Sequence, residues 1–437
     1  MAAHRQSAAW WNVVAKVGGA GFWFFLYLVL ARTLEPQAFA DVAVVLAWLA
    51  IAMAVACLSA PLVMVRFVSD HLASGRYDLA KGVIQLSVAV TLAFASVATL
   101  LVLLAIVTGT LVLPRDLSES AMVGAVLLPP SVFLLNLAGL LIGVKRAASA
   151  ELLSNMLRPA VVIGCVGVFW VLQKGGLSAP AVLTIYLAAT FASLVGCAVF
   201  AFRVLPLGLI KVKPAFQVHL WMRAAAGFLA VSVMSTLHDR IDLLILGAVG
   251  LPLDVVAYAV AARFSQTVVL AAAATGSAMA PHFVEGLADL QKGRRGNLQR
   301  LVRDTARTAL YVSLIGLAAF ALLGPYFLQL FGPNYERAYM PMVLLAFGQA
   351  ISAVAGPAAA VATLAGKPRI AIVSFAVGIL VNVLLGVALI PVLGASGSAL
   401  AAAAAMVAAA MVAWLGVKKS FLVDTSIFGA AQVEPAS

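Results

Sequence analysis

With 64% hydrophobic and only 10% charged side chains over 437 residues, the chain lies far from the roughly 45–50% apolar and 25% charged usage of soluble domains, which excludes a water-soluble fold. Apolar runs of about 20 residues recur along it, so a single anchor on a soluble body is excluded as well. The formal charge of +12 is what cytoplasmic loops confer on a multi-pass membrane protein, and no dense basic domain points to nucleic acid.

The first stretch, Met1 to Thr33, is too long for the 7–15-residue apolar core of a signal peptide, roughly, and runs into Arg32 rather than a small-residue cleavage site; it reads as the first retained span. Twelve apolar segments follow one another near 10–32, 40–66, 83–113, 121–143, 150–173, 178–202, 222–249, 254–284, 308–331, 340–364, 370–391 and 395–417. Cys57, Cys165 and Cys197 lie inside these runs without CxxC or Cys/His spacing, so neither disulfides nor a metal are expected, and no cofactor is implied.

The loops orient the spans. With both termini in the cytoplasm, 20 of the 28 Lys and Arg residues fall on the inner side, among them Arg66 and the cluster Lys292, Arg294, Arg295, while only Arg32, Arg115, Lys174 and Arg337 fall on the outer side. Lys16, Arg158, Arg240 and Arg263 remain within spans.

Two short matches suggest a repeat. LARTLEPQAFADVAVV from Leu30 and LGAVGLPLDVVAYAVA from Leu246 align at an offset of 216; GLSAPAVL from Gly176 and GASGSALA from Gly394 align at 218. An offset of six spans makes the halves parallel repeats about an axis along the membrane normal. The expected fold is all-α, with twelve transmembrane helices in two six-helix lobes: residues 1–203, a basic cytoplasmic linker 204–221, residues 222–420, and a cytoplasmic tail 421–437.

Three stretches carry a family likeness: the first connection just quoted, DLLILGAVGLPLDVVAYAVAARF from Asp242, and NVLLGVALIPVLGASGSALAAA from Asn382. With them the chain resembles the polysaccharide and lipid-linked oligosaccharide flippases, of the O-antigen type, in the multidrug/oligosaccharidyl-lipid/polysaccharide exporter superfamily. The likeness covers essentially the whole chain, but its motifs are turn and packing chemistry. Ala40, Val42 and Gly386 depart from it. It implies a flippase of the bacterial inner membrane whose substrate is an undecaprenyl-pyrophosphate oligosaccharide, working beside glycosyltransferases and a polysaccharide polymerase.

Charges inside spans are costly and usually face a cavity or a partner. The seventh span holds His238, Asp239, Arg240 and Asp242; helical spacing puts His238, Asp239 and Asp242 on one face and Arg240 to the side. Folding the following hairpin about residue 252 sets Arg263 opposite residue 241, so an ion pair of Arg263 with Asp239 or Asp242 is available. Two readings stand. The pair could simply fix helix register, or Arg240, Arg263, Lys16, Arg158 and Arg66 could form a cationic cleft for pyrophosphate, with Asp239, Asp242 or His238 exchanging a proton or cation.

Gly139 and Gly143 form a GxxxG for close helix packing. Pro129-Pro130, Gly356-Pro357 and Ile390-Pro391 mark kinks or hinges in spans four, ten and eleven. GKP at Gly366 lacks the rest of a phosphate-binding loop, so this chain is not expected to hydrolyse ATP. The competing readings are a multidrug or cation antiporter of the same superfamily, with a cleft of carboxylates and aromatics, and an integral-membrane polymerase or ligase, which the short external loops disfavour.

Overall fold

A computed structural model describes residues 2–111, 115–173, 176–291 and 296–429, with side chains for all of these except 2–13, 115–116, 173, 210, 271–285, 287–291, 296 and 333–334. Lys174, Lys292, Arg294, Arg295 and the last eight residues of the expected tail lie outside the described residues. Among the described residues every regular element is a helix. Eleven helices among the described residues are long and apolar enough to cross a membrane. The last of them, Pro368–Phe421, has 54 residues and would reach roughly 80 Å if straight, against a hydrocarbon core of about 30 Å. Gly394 breaks it with φ 53° and ψ −129°, so it is two crossings, and the described residues make twelve.

The chain parts into two compact units, Met1–Thr236 and Leu237–Ser437. The first is built from α1 (Ala2–Thr33), α2 (Pro36–Ala56), α3 (Ala60–Ala73), α4 (Tyr77–Val107), α5 (Arg115–Val126), α6 (Leu128–Gly143), α7 (Ala147–Glu151), α8 (Leu157–Gln173), α9 (Ala179–Val204), α10 (Leu207–Lys211) and most of α11 (Val218–His238). The second holds α12 (Ile241–Val249), α13 (Pro252–Gln291), α14 (Gly296–Gln329), α15 (Tyr339–Val354), α16 (Ala358–Leu364) and α17 (Pro368–Phe421).

Several crossings are broken, each close to a proline. The second turns through Leu58 and Ser59, both left-handed, before α3. The fourth parts at Leu127, just ahead of Pro129-Pro130. The fifth contains a π turn, Leu152–Met156, that ends three residues before Pro159, which has no N–H to offer the preceding turn. The tenth parts at Gly356-Pro357. The helix runs on through Pro391, and the reversal comes three residues later at Gly394.

The expected linker 204–221 is not a free connection between units. It lies inside the first, where Lys81 Nζ donates to the Val212 carbonyl at 2.8 Å and the Ala215 N–H to the Asp78 carbonyl at 3.0 Å. Gly82 makes this approach feasible, since a Cβ there would stand 1.9 Å from the Ala215 oxygen. Trp221 is buried with Val83, Leu141 and Cys197 in the core of this unit. The division between units therefore falls within the seventh crossing. In the same unit Gly139 admits the backbone of Pro61, as its place in a GxxxG implies.

The segment after α17 is also packed rather than free. Val423 is buried among Leu298, Val302, Val361 and Val417. Gln299 accepts from the Asp424 N–H at 2.8 Å and donates to the Asp424 carbonyl. Thr425 Oγ1 donates to the Ala355 carbonyl at 2.7 Å and the Ile427 N–H to the Val354 carbonyl at 3.1 Å, supplying partners that the break at Gly356 removes from the helix. Gly356 has φ +72°, and a Cβ on it would meet the Thr425 oxygen at 2.0 Å. Burial pushes the Asp424 carboxyl up, but hydrogen bonds from Trp414, Ser426 and Lys418 outweigh that and hold it below the usual carboxylate range. A lowered folded-state value means that its contribution is complete at neutral pH and is lost on acidification. Asp424→Asn should lower the thermal midpoint at pH 7 but change it less at low pH; Gly356→Ala should lower it at both. Equal effects of Asp424→Asn at the two pH values would contradict this account.

Candidate functional site

The seventh crossing breaks in its middle without Pro or Gly. α11 ends at His238, Asp239 and Arg240 form a turn, and α12 starts at Ile241 with Arg240 as its cap residue at φ −129° and ψ −16°. The new helix end gives Asp242 its place. Its carboxylate sits in the first turn of α12, where the helix dipole favours negative charge. One oxygen accepts the Leu243 N–H at 2.6 Å, and the other accepts the Tyr258 hydroxyl. Ser398 Oγ donates to the Asp242 carbonyl at 3.4 Å. Asp242 and Tyr258 are both buried, as a paired carboxylate inside a membrane protein should be.

Around this pair lies an open cavity of about 280 Å³, lined wholly by residues of the second unit. His238, Asp239, Arg240 and Asp242 line one wall. Ser265, Gln266, Gln349 and Asn382 add neutral polar groups from α13, α15 and α17. His238 packs its ring against Phe375 at 5.6 Å and against Gly378, where a Cβ would come within 2.6 Å of it. Its Nδ1 makes no hydrogen bond among the described residues.

This geometry corrects two expectations. Helical spacing sends Arg240 away from the other three, but the break cancels that spacing and Arg240 lines the cavity with them. The expected pair of Arg263 with Asp239 or Asp242 does not form: the hairpin turns at residue 250, not 252, so the partner of Asp242 is Tyr258, eight residues beyond the turn. Arg263 stands five residues further on, about 7 Å deeper. Its Nη1 donates instead to Gln266 Oε1 at 2.7 Å, so it touches the cavity through Gln266.

The remaining predicted cations belong to the first unit. Arg158, 9% exposed, lies over the rings of Tyr186 at 5.1 Å and Trp23 at 5.5 Å, and its Nε has no hydrogen-bond partner among the described residues. Arg66 is exposed, 5.4 Å over the Phe67 ring, and Lys16 is exposed. The second unit's cavity therefore holds two carboxylates against one arginine, not a cationic set. Tyr258, Gln266 and Gln349 were not among the predicted site residues. Equal spacing of Asp242 and Tyr258 from Gly250 is a signal for the first; neutral glutamines in apolar runs give none.

No family model and no curated protein matches the sequence. Solved structures do. An inward-facing multidrug resistance transporter of the MATE family, in the MOP superfamily, aligns over 94% of both chains with a TM-score of 0.72 at 14% identity. A MOP superfamily transporter from Pyrococcus furiosus, described as having a binding pocket of reverse polarity, aligns over 95% of both at 0.68 and 15% identity. The chain has the fold of the MOP superfamily transporters. The lipid II flippase MurJ, in an inward closed conformation, shares it too, with a TM-score of 0.67 and 14% identity over 94% of this chain and 89% of that one. These MOP-fold neighbours are transporters and a flippase, not enzymes.

In this MOP-fold chain the Asp242–Tyr258 bond is a structural keystone of the site. Tyr258→Phe leaves a buried carboxylate oxygen without a donor and should cost about 1–3 kcal/mol, read as a lower thermal midpoint. Adding Asp242→Leu removes the stranded charge and should recover part of the loss. An unchanged midpoint in Tyr258→Phe would contradict the assignment.

Proposed function

We propose that this multi-pass membrane protein is a flippase that carries a lipid-linked oligosaccharide, with an undecaprenyl-pyrophosphate anchor, across the bacterial inner membrane by alternating access. The observation that carries this reading is Arg158. A guanidinium within a membrane crossing is costly to insert, yet this one meets only two aromatic faces and keeps an Nε donor unused among the described residues. An arginine fork suits phosphate oxygens, and a low-dielectric surround strengthens the attraction.

Arg240 makes no ion pair among the described residues, although Asp239 and Asp242 are near enough to feel its charge, and it is a charged donor available to a polar group of the cargo on the cavity wall. Asp239 lines the cavity without a hydrogen bond among the described residues and is the candidate for proton or cation exchange that would drive transport; Asp242, tied to Tyr258, is the less mobile of the two. The likeness to a lipid II flippase agrees with a lipid-anchored cargo. Glycosyltransferases would supply the cargo on the cytoplasmic side, where both termini lie in this reading, and a polymerase would consume it outside. The chain itself would catalyse no covalent step.

One observation favours the alternative, a multidrug or cation antiporter: the excess of carboxylates over arginine in the second unit's cavity. The two readings separate by experiment. Arg158→Ala and Arg240→Ala should each reduce surface polysaccharide export at least tenfold at unchanged protein level, and the double variant should abolish it. Full export by the double variant, together with loss of resistance to cationic drugs on deletion of the chain, would establish the antiporter instead.

A further inference from the structure

We propose that the cavity of the second unit is a sugar subsite that holds one glycosyl residue of the cargo; the proposal rests on the flippase reading above. The argument is a count of what the lining groups have left to offer. Gln266 has its Oε1 taken by Arg263 Nη1 at 2.7 Å, and Gln349 has its Oε1 taken by Ser265 Oγ at 3.0 Å. Each glutamine is thereby tethered by its carbonyl end and presents its NH₂ group as a donor of fixed orientation. Asn382 is only 2% exposed and lines the cavity, yet neither end of its amide is hydrogen-bonded among the described residues. The amide atoms of Asn382 are not among the fully buried unpaired groups, so they open on the cavity and offer a donor and an acceptor to a polar ligand there.

Asp239 adds an acceptor and Arg240 a charged donor, and the side chains of both are without hydrogen bonds among the described residues. The set is thus several donors around one free carboxylate. A phosphate offers acceptors alone and would be opposed by Asp239. A bare cation offers no acceptors and would be opposed by Arg240 and by the tethered NH₂ groups. The hydroxyls of a sugar ring both donate and accept, and they satisfy the two kinds of group together. Val269, Leu345, Ala402 and Met406 supply an apolar wall for the C–H face of a ring. At about 280 Å³ the cavity falls just under the roughly 300–1,000 Å³ of pockets for drug-sized ligands, which suits one ring rather than a longer glycan. Arg263 is in this account a positioning residue, holding Gln266 without reaching the sugar.

The test measures binding to the full chain in lipid nanodiscs by quenching of tryptophan fluorescence. The probes are the lipid-linked oligosaccharide fraction of the source cell's membranes and undecaprenyl pyrophosphate that carries no glycan. Gln349→Ala and Asn382→Ala should each weaken binding of the glycosylated lipid about tenfold, the loss of one or two hydrogen bonds. Binding of the glycan-free lipid should stay within twofold of the unmodified protein. If Asn382→Ala does not fold, Gln349→Ala, whose side chain is only half-buried, carries the test. Equal weakening of both lipids, or undiminished binding of the glycosylated one, would overturn the sugar subsite while leaving the flippase reading intact. Binding of neither lipid by the unmodified protein would overturn the flippase reading itself.

Discussion

The organising constraint is that a hydrocarbon surround supplies no hydrogen bonds, so every interruption of a membrane helix must be repaired from within the protein. The break at Asp239 and Arg240 shows how much follows from one such repair. It creates a helix end in the middle of a crossing, and the new N-terminus of α12 receives the Asp242 carboxylate. That carboxylate requires a second donor, which Tyr258 provides from α13. The same break turns Asp239 and Arg240 toward one space, and the polar cavity is the result.

The break in the tenth crossing is repaired differently. There the chain's own end returns to the gap at Gly356, with Thr425 and Ile427 donating to carbonyls that the helix no longer uses. One interruption is closed by a hydroxyl and a backbone N–H of the returning segment, and the other is left lined with groups that have unused hydrogen-bonding capacity. That difference in repair is what separates a structural kink from a site in this molecule. The buried Arg158 is a third case, in which a cation between the π turn and Pro159 is covered by aromatic faces rather than by carboxylates.

Much of the fold is legible in the sequence because hydrophobic length and loop charge are additive properties. The twelve crossings fall close to their expected positions, and Gly356-Pro357 and Pro129-Pro130 stand beside real breaks, since Gly and Pro act locally. The cavity was legible only in part. His238, Asp239, Arg240 and Asp242 announce themselves as charges in an apolar run, but their directions depend on a helix break that no Gly or Pro signals. The error over Arg263 has the same origin in geometry: two residues' difference in the turn position exchanges an arginine for a tyrosine as the partner of Asp242. Gln266, Gln349 and Asn382 acquire meaning only when three distant helices bring them to one wall. The basic segment 204–221 looked like a linker by composition, whereas the absence of a Cβ at Gly82 lets it dock on α4.

The central proposal is that the broken seventh crossing leaves Asp239 as a mobile charge coupled to transport while Asp242 stays fixed by Tyr258. The most direct measurement is translocation of the lipid-linked oligosaccharide in proteoliposomes with and without an imposed pH or sodium gradient, comparing the unmodified chain with Asp239→Asn. The account predicts gradient-accelerated translocation by the unmodified chain and a rate indifferent to either gradient in the variant. The same gradient dependence in both proteins would contradict it.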